Sequence, residues 1–410
     1  MSFQTGLSGL NASSQRLDVI GNNIANANTV GMKASRAEFT ELVAAALGPS
    51  GGGGVGGGIG VAVAAVSQQF SQGTINITGN SLDVAINGGG FFQLTQKDGS
   101  PAYTRDGQFK LTSTGDIVTN AGANLMGYPT TLLGVATSAT VQKLTVPTGA
   151  PIPAQATGAI TAEFNLDSRA VVGATATPPV PIGTYGTTMT GYDSQGVAVP
   201  ITLYFDKTAA DAWDIYVPDP ASTTASPLPP VLLTNMTFDV NGAITAPVGT
   251  TPITLQSSNT NIGAFVATLD LSTVTQYGSA FAVSSLTQDG YAAGNLTGIS
   301  ISDQGILTTT YSNGQTQARG QISLADFRNV QGLTPVGSGS WVETITSGQP
   351  IQGTPGQGNF GKLRSGATED SNVDLTAELV NMMTAQRDYQ ANAQTIKTQD
   401  QVLSTLVNLR

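Results

Sequence analysis

The two ends of the chain repeat apolar residues every seven positions, and the interior does not. Leu375, Met382, Tyr389, Ile396 and Leu403 form one such column, flanked by Leu379, Ala393 and Val407. That spacing places side chains on one face of a helix. Residues 374–410 contain neither Pro nor Gly, so a helix here can run ~55 Å at about 1.5 Å per residue. Ser371, three positions before Asp374, resembles the start of a capping box. At the other end Phe3, Leu10, Leu17 and Ile24 recur with the same period and Leu7 lies on the same face, whereas Ser14 and Gly21 weaken the second column. An apolar stripe of this kind ordinarily packs inside its own domain. Here the stripes occupy the extreme ends of a chain with no other evident helices to complete a bundle. Gln386 and Asp400 also interrupt the neighbouring column, where a self-sufficient coiled coil rarely accepts polar residues. The pattern predicts that the terminal helices pair as a coiled coil and then contact further copies.

Between them the chain is rich in Thr, Val, Gly and Asn. Short strand candidates such as Gln108-Phe109-Lys110-Leu111 and Ile201-Thr202-Leu203-Tyr204-Phe205 alternate with turn signals. Asp98-Gly99, Asp106-Gly107, Asn241-Gly242, Asp289-Gly290 and Asn313-Gly314 supply residues suited to the positive φ of tight turns. Most prolines fall between about 146 and 282, where they suit loops and sheet edges. The fold expected is therefore mainly β with α-helical termini, a discontinuous multi-domain chain with one β-domain inserted in another. The expected divisions are 1–30 with 366–410 as the helical domain, 31–70 as a Gly-rich linker region, 71–145 with 283–365 as a β-domain, and 146–282 as the inserted outer β-domain. The run from 48 to 58 is low-complexity and flexible on composition.

Several chemistries are excluded by what the chain lacks. With no His and no Cys, the commonest general base, thiolate nucleophiles and the usual soft metal ligands are all missing. A formal net charge of -10 with 16 Lys plus Arg argues against nucleic acid as a partner. The first residues lack the basic and apolar regions of a cleavable secretory signal, and no apolar run approaches the ~20 residues of a membrane helix. Export without a cleaved signal peptide and no membrane insertion are therefore expected. The segment Gly356-Gln357-Gly358-Asn359-Phe360-Gly361-Lys362 matches G-x-G-x-x-G and nearly completes a phosphate loop, but Leu363 stands where Ser or Thr would bind Mg²⁺. The pairs Asp214 with Asp219 and Glu369 with Asp370 read as turn and helix-entry residues in contact with solvent. No catalytic residue, metal site or cofactor is assigned, and no enzyme activity is expected.

The segment Asn22-Asn23-Ile24-Ala25-Asn26-Ala27-Asn28-Thr29-Val30-Gly31-Met32-Lys33 resembles the amino-terminal signature of the axial proteins of the bacterial flagellum, an Asn-Asn-x-Ala-Asn core followed by Thr-x-Gly-Phe-Lys. Met32 replaces the usual Phe and keeps that position large and apolar. The matching residues are Asn22, Asn23, Ala25, Asn26, Thr29, Gly31 and Lys33. The stretch Ser371-Asn372-Val373-Asp374-Leu375, with Glu378-Leu379-Val380-Asn381-Met382, Gln386-Arg387 and Leu406-Val407-Asn408, is similar to the family's closing helix. Segments like Ser81 to Phe92 and Tyr103 to Phe109 recur in its rod and hook members alike, whereas chain length and the inserted β-domain point to the hook. The resemblance implies a structural subunit polymerising with many copies of itself into a flexible hollow tube that transmits torque, a universal joint between rod and filament. It further implies contacts with rod, hook cap and hook-filament junction proteins, export by the flagellar export apparatus, and an extracellular location in the hook. A distal-rod subunit of the same family and a secreted carbohydrate-binding adhesin or fibre protein are the alternative readings, with a carboxylate glycosidase behind them.

Overall fold

The structure is a computed structural model describing residues 3–43, 58–149, 151–173, 181–218, 230–257 and 262–408. Its contacts divide the chain into two compact units. One comprises Met1–Gly149, Gly298–Thr309 and Thr316–Arg410, the other Ala150–Thr297 and Thr310–Gln315.

The first unit holds both terminal helices, α1 (Phe3–Ala25) and α2 (Leu375–Asn408), which pack together. The 34 residues of α2 correspond to ~51 Å of helix. Asp374 is its cap: Oδ1 accepts the Thr376 and Ala377 N–H groups at 2.9 and 3.2 Å, satisfying donors that have no partner inside the helix. The capping-box expectation on Ser371 is thereby corrected, since the Ser371 hydroxyl accepts only Val373 N–H at 3.3 Å. After α1 the chain forms an antiparallel hairpin of β1 (Ser35–Val43) and β2 (Gly58–Gln68), pairing Ser35 with Gln68. The region expected to be linker is thus strand on both flanks, while the Gly-rich run itself lies, apart from Gly58, outside the described residues. The apolar and β-branched residues of these flanks supply the strand propensity that the glycines lack.

Beyond the hairpin, β3 (Ile75–Ile77) pairs with Ala367–Glu369 and β4 (Val84–Asn87) with Lys362–Ser365, both antiparallel. The residues just before α2 are thereby stitched to those just after the hairpin. Next, β5 (Phe91–Thr95) lies between β6 (Pro101–Thr104) and Asn124–Tyr128. Its run Phe91-Phe92-Gln93-Leu94 is buried on both faces, which explains a continuous apolar stretch in place of alternation. Phe91, Tyr103, Phe327 and Trp341 form a buried aromatic cluster with edge-to-face contacts at centroid separations of 4.8–6.1 Å.

The second unit is a β-sandwich. One sheet runs in the order Tyr185–Tyr192, Ala198–Ala209, Ala212–Val217, Val231–Phe238, Ile244–Ala246. The other is built around Ala159–Asp167, whose residues alternate exposed and buried along the strand. Phe164 and Leu166 from one sheet meet Leu203, Phe205, Trp213 and Ile215 from the other in a single core.

Three of the five acidic or amide-Gly turns have the expected backbone, with Gly99, Gly242 and Gly314 at φ near +80 to +87°. Gly107 and Gly290 do not. A Cβ there would lie 1.7 Å from Val84 O and 2.4 Å from Thr157 Oγ1, so glycine serves close approach at those two positions.

Candidate assembly interface

The two terminal helices run antiparallel: Gly6 lies against Ile396, Gly9 against Asn392, and Arg16 approaches Asp388 at 3.5 Å. A Cβ on Gly6 would stand 3.1 Å from Ile396 Cγ1, and one on Gly9 3.0 Å from Asn392 Oδ1. The helix backbones are therefore close because these positions carry no side chain. Asn392 Nδ2 donates to Ser13 Oγ at 3.3 Å, and Ala385 is fully buried. The helices thus meet through small and polar residues, Gly6, Gly9 and Ser13 on α1 and Ala385 and Asn392 on α2. On α2 this face takes in Ile396 of the apolar heptad column, which packs on Gly6, while Leu375, Tyr389 and Leu403 of that column stay exposed.

The large apolar residues lie largely off this contact. Phe3, Leu7, Leu375, Leu379, Tyr389 and Leu403 are exposed, Leu403 to 54%. Leu10, Leu17, Ile24, Met382 and Ile396 are half-buried, and the Val407 side chain lies outside the described residues. The periodicity located the helices, but it did not reveal which face they share. Ser14 and Gly21 interrupt the second column, whereas the small residues that make the contact are Gly6, Gly9 and Ser13, three and four apart along one face.

The signature following α1 builds a junction. Asn23 is buried and binds both backbone groups of Ser35, donating to its carbonyl at 2.8 Å and accepting its N–H at 2.9 Å. It pairs with the start of β1 as another strand would, fixing the exit from α1. Asn26 Nδ2 donates to the Asn22 carbonyl at 2.9 Å, and Asn26 O accepts Thr29 N–H at 3.0 Å, closing the helix end. Ala25 and Thr29 are exposed. Gly31 has φ +70°, and a Cβ there would lie 2.5 Å from Asp106 N, so only glycine fits both the backbone and the space. Its N–H donates to Glu369 O at 2.7 Å.

Lys33 is buried and reaches Glu369 Oε1 at 2.5 Å and the Ser71 carbonyl at 2.8 Å. Glu369 Oε1 also accepts Gly73 N–H at 2.9 Å, and Oε2 accepts Arg105 at 3.1 Å. Arg105 donates further to Gly88 O at 3.0 Å. Burial lowers the Lys33 pKa below the ordinary lysine value, with the Glu369 charge and hydrogen bond pulling the other way. Asn372 completes the junction, accepting Ala34 N–H at 2.7 Å and donating to Gln69 O at 2.7 Å. Glu369, expected to be a solvated helix-entry residue, is instead fully buried because strand pairing with β3 turns it inward. Asp214 is likewise within a strand and largely buried, accepting Asn235 Nδ2 at 2.5 Å, while Asp219 lies outside the described residues. The role of Arg105 and Glu369 was hidden because they stand 264 residues apart.

The glycine motif at 356–361 sits in a turn, and Lys362 opens a strand where a phosphate loop requires a helix. Among the described residues no group of three or more Asp or Glu is placed to hold a metal ion, and no helix is long and apolar enough to cross a membrane.

Residues 3–33 match the family described as "Flagella basal body rod protein", and 85–162 the "Flagellar hook protein FlgE/F/G D1 domain". Residues 165–291 match the "Flagellar basal body protein FlaE D2 domain", and 364–409 the "Flagellar basal body rod FlgEFG protein C-terminal". The chain is 43% identical over 429 residues to the flagellar hook protein FlgE of Salmonella typhimurium strain LT2, and 42% identical over 422 residues to that of Escherichia coli K12. Both alignments cover 100% of each chain. A crystal structure of Helicobacter pylori flagellar hook protein FlgE2 shares the fold, with TM-score 0.53 at 16% identity, covering 70% of this chain and 99% of that one.

Proposed function

The chain belongs to the flagellar hook protein family and is a structural subunit of the extracellular flagellar hook; from that premise we propose how its parts serve the polymer. The observation that carries the reading is the division of labour on the terminal helices. Small residues, with Ile396 packed on Gly6, join α1 to α2 within one subunit, and Phe3, Leu7, Leu375, Leu379, Tyr389 and Leu403 are left outward. Apolar area left in water by the isolated chain is recovered when copies pack, at about 25 cal/mol per Å². The terminal helices form the inner tube, with Phe3, Leu7, Leu375, Leu379, Tyr389 and Leu403 as its intersubunit contacts.

The residues between the ends form the outer layers, comprising a β-domain of 71–145 with 283–365 and an inserted one of 146–282. Bending requires outer contacts that exchange at low cost. Support comes from the composition: charged residues make up only 10% of the chain, so few strong charge contacts oppose sliding. Torque then passes through the inner tube while the outer domains slide. Rod, cap and junction proteins contact the ends of the polymer, and subunits reach it through the flagellar export apparatus.

Deleting residues 1–24 or 375–410 tests this reading. The expected result is retained β structure by circular dichroism with no tubes by electron microscopy; normal tubes from either deletion would refute it.

A further inference from the structure

Lys33, Arg105 and Glu369 form a charge network that the helix contacts do not need. The Lys33 and Glu369 side chains are 0% exposed and Arg105 is 6% exposed. Two cations therefore share one buried carboxylate, with Asp326 adding a weaker attraction for Arg105. Arg105 Nε has no hydrogen-bond partner. Apolar side chains of similar volume commonly fill such a space with equal or greater stability, so stability alone does not account for the charges.

The network supplies direction. Each Glu369 oxygen has its own cation, Lys33 at Oε1 and Arg105 at Oε2. Each cation is also held by one carbonyl, Ser71 O for Lys33 and Gly88 O for Arg105. Glu369 lies on the strand Ala367–Glu369, paired with β3, and α2 follows at Leu375. A slip of one residue along that pairing turns every side chain to the opposite face. It would place Thr368 or Asp370 where Glu369 stands and withdraw the carboxylate from its two cations. Gly31 N–H on Glu369 O ties the same residue to the loop that follows α1.

We propose that Glu369 is a positioning residue for assembly: with Lys33 and Arg105 it locks the strand before α2 in one register against the α1 exit loop, so that every copy presents its terminal helices alike. The assembly part of this proposal rests on the hook-subunit reading, and its stability part does not.

The test uses the full chain carrying Trp213→Phe, so that Trp341 alone reports unfolding of the first unit. The variants are Glu369→Gln, Lys33→Met, and the charge-free triple Lys33→Met/Arg105→Met/Glu369→Met. Glu369→Gln leaves two buried cations unpaired, whereas Lys33→Met leaves a matched Arg105–Glu369 pair. The urea midpoint should fall further for Glu369→Gln than for Lys33→Met, and the triple should return to the parent midpoint or above. Despite that recovery, the triple should give tubes of irregular diameter, or none, by electron microscopy. Regular tubes from the triple would overturn the proposal, because the network would then only fill space. A triple less stable than the parent would also overturn it, placing the charges there for stability. Equal midpoints for Glu369→Gln and Lys33→Met would remove the two-cation premise. Failure of the parent chain to polymerise would count against the hook-subunit reading, while the order of urea midpoints would still test Glu369.

Discussion

Gly31→Ala is a sensitive probe of the junction at the root of the terminal helices. Alanine at φ +70° incurs about 1–2 kcal/mol from crowding of its own backbone. The added Cβ would lie 2.5 Å from Asp106 N and 2.7 Å from Arg105 C, which are backbone atoms that no rotamer change can move away. Relief requires displacing the loop, with overpacking costs of about 1–3 kcal/mol. The same displacement weakens the 2.7 Å bond from Gly31 N–H to Glu369 O, a loss of about 1 kcal/mol. The expected destabilisation is therefore ~3–6 kcal/mol, confined to the first unit. Urea unfolding followed by Trp341 fluorescence in the Trp213→Phe background should show a midpoint lower by roughly 1–3 M for a slope of about 2–3 kcal/mol per M. A shift corresponding to less than about 0.5 kcal/mol, the size of an ordinary surface substitution, would refute the claim that the signature is a packed junction.

Two further substitutions probe other levels of the structure. Asp374→Ala removes the cap from the first turn of α2 and should cost about 1 kcal/mol, seen as reduced helical circular dichroism and faster amide exchange at Thr376 and Ala377. In the second unit, burial would raise the Asp193 pKa, but the hydroxyl of Ser257 and the N–H groups of Val197 and Gln195 outweigh it and hold the carboxyl below its ordinary value of 3.8. Because the folded pKa is the lower one, this stabilisation is complete above the unfolded value and is lost as pH falls through the folded value. Asp193→Asn should therefore flatten the acid limb of the second unit's stability below about pH 4, measured by Trp213 fluorescence in urea in a Trp341→Phe background. An unchanged acid limb would contradict that assignment.

The terminal helices were legible because a repeat with no Pro or Gly admits few other structures, and the strands around Phe109 and Ile201 were legible from β-branched and aromatic runs bounded by turns. What escaped was set by distance and by absence. The α1 to α2 contact depends on missing side chains at Gly6 and Gly9, which a search for apolar periodicity treats as gaps. The pairing of Lys33 with Glu369 spans 336 residues, and no local pattern marks it. Family resemblance identified Asn23, Asn26, Gly31 and Lys33 without showing what they do. Asn23 replaces a strand partner, Asn26 closes a helix, Gly31 admits a close backbone, and Lys33 meets a buried carboxylate. The Gly-rich run concealed a hairpin because its composition dominated a region whose flanks carry alternating Val, Phe and Ala.

The central claim is that apolar residues left outward on the terminal helices join one subunit to the next. Leu379→Glu with Leu403→Glu tests it directly, since both side chains are more than half exposed in the single chain. The account predicts urea midpoints unchanged to within about 0.5 kcal/mol, as expected for surface positions, with tube formation abolished in electron micrographs. Normal tubes from this variant would contradict it.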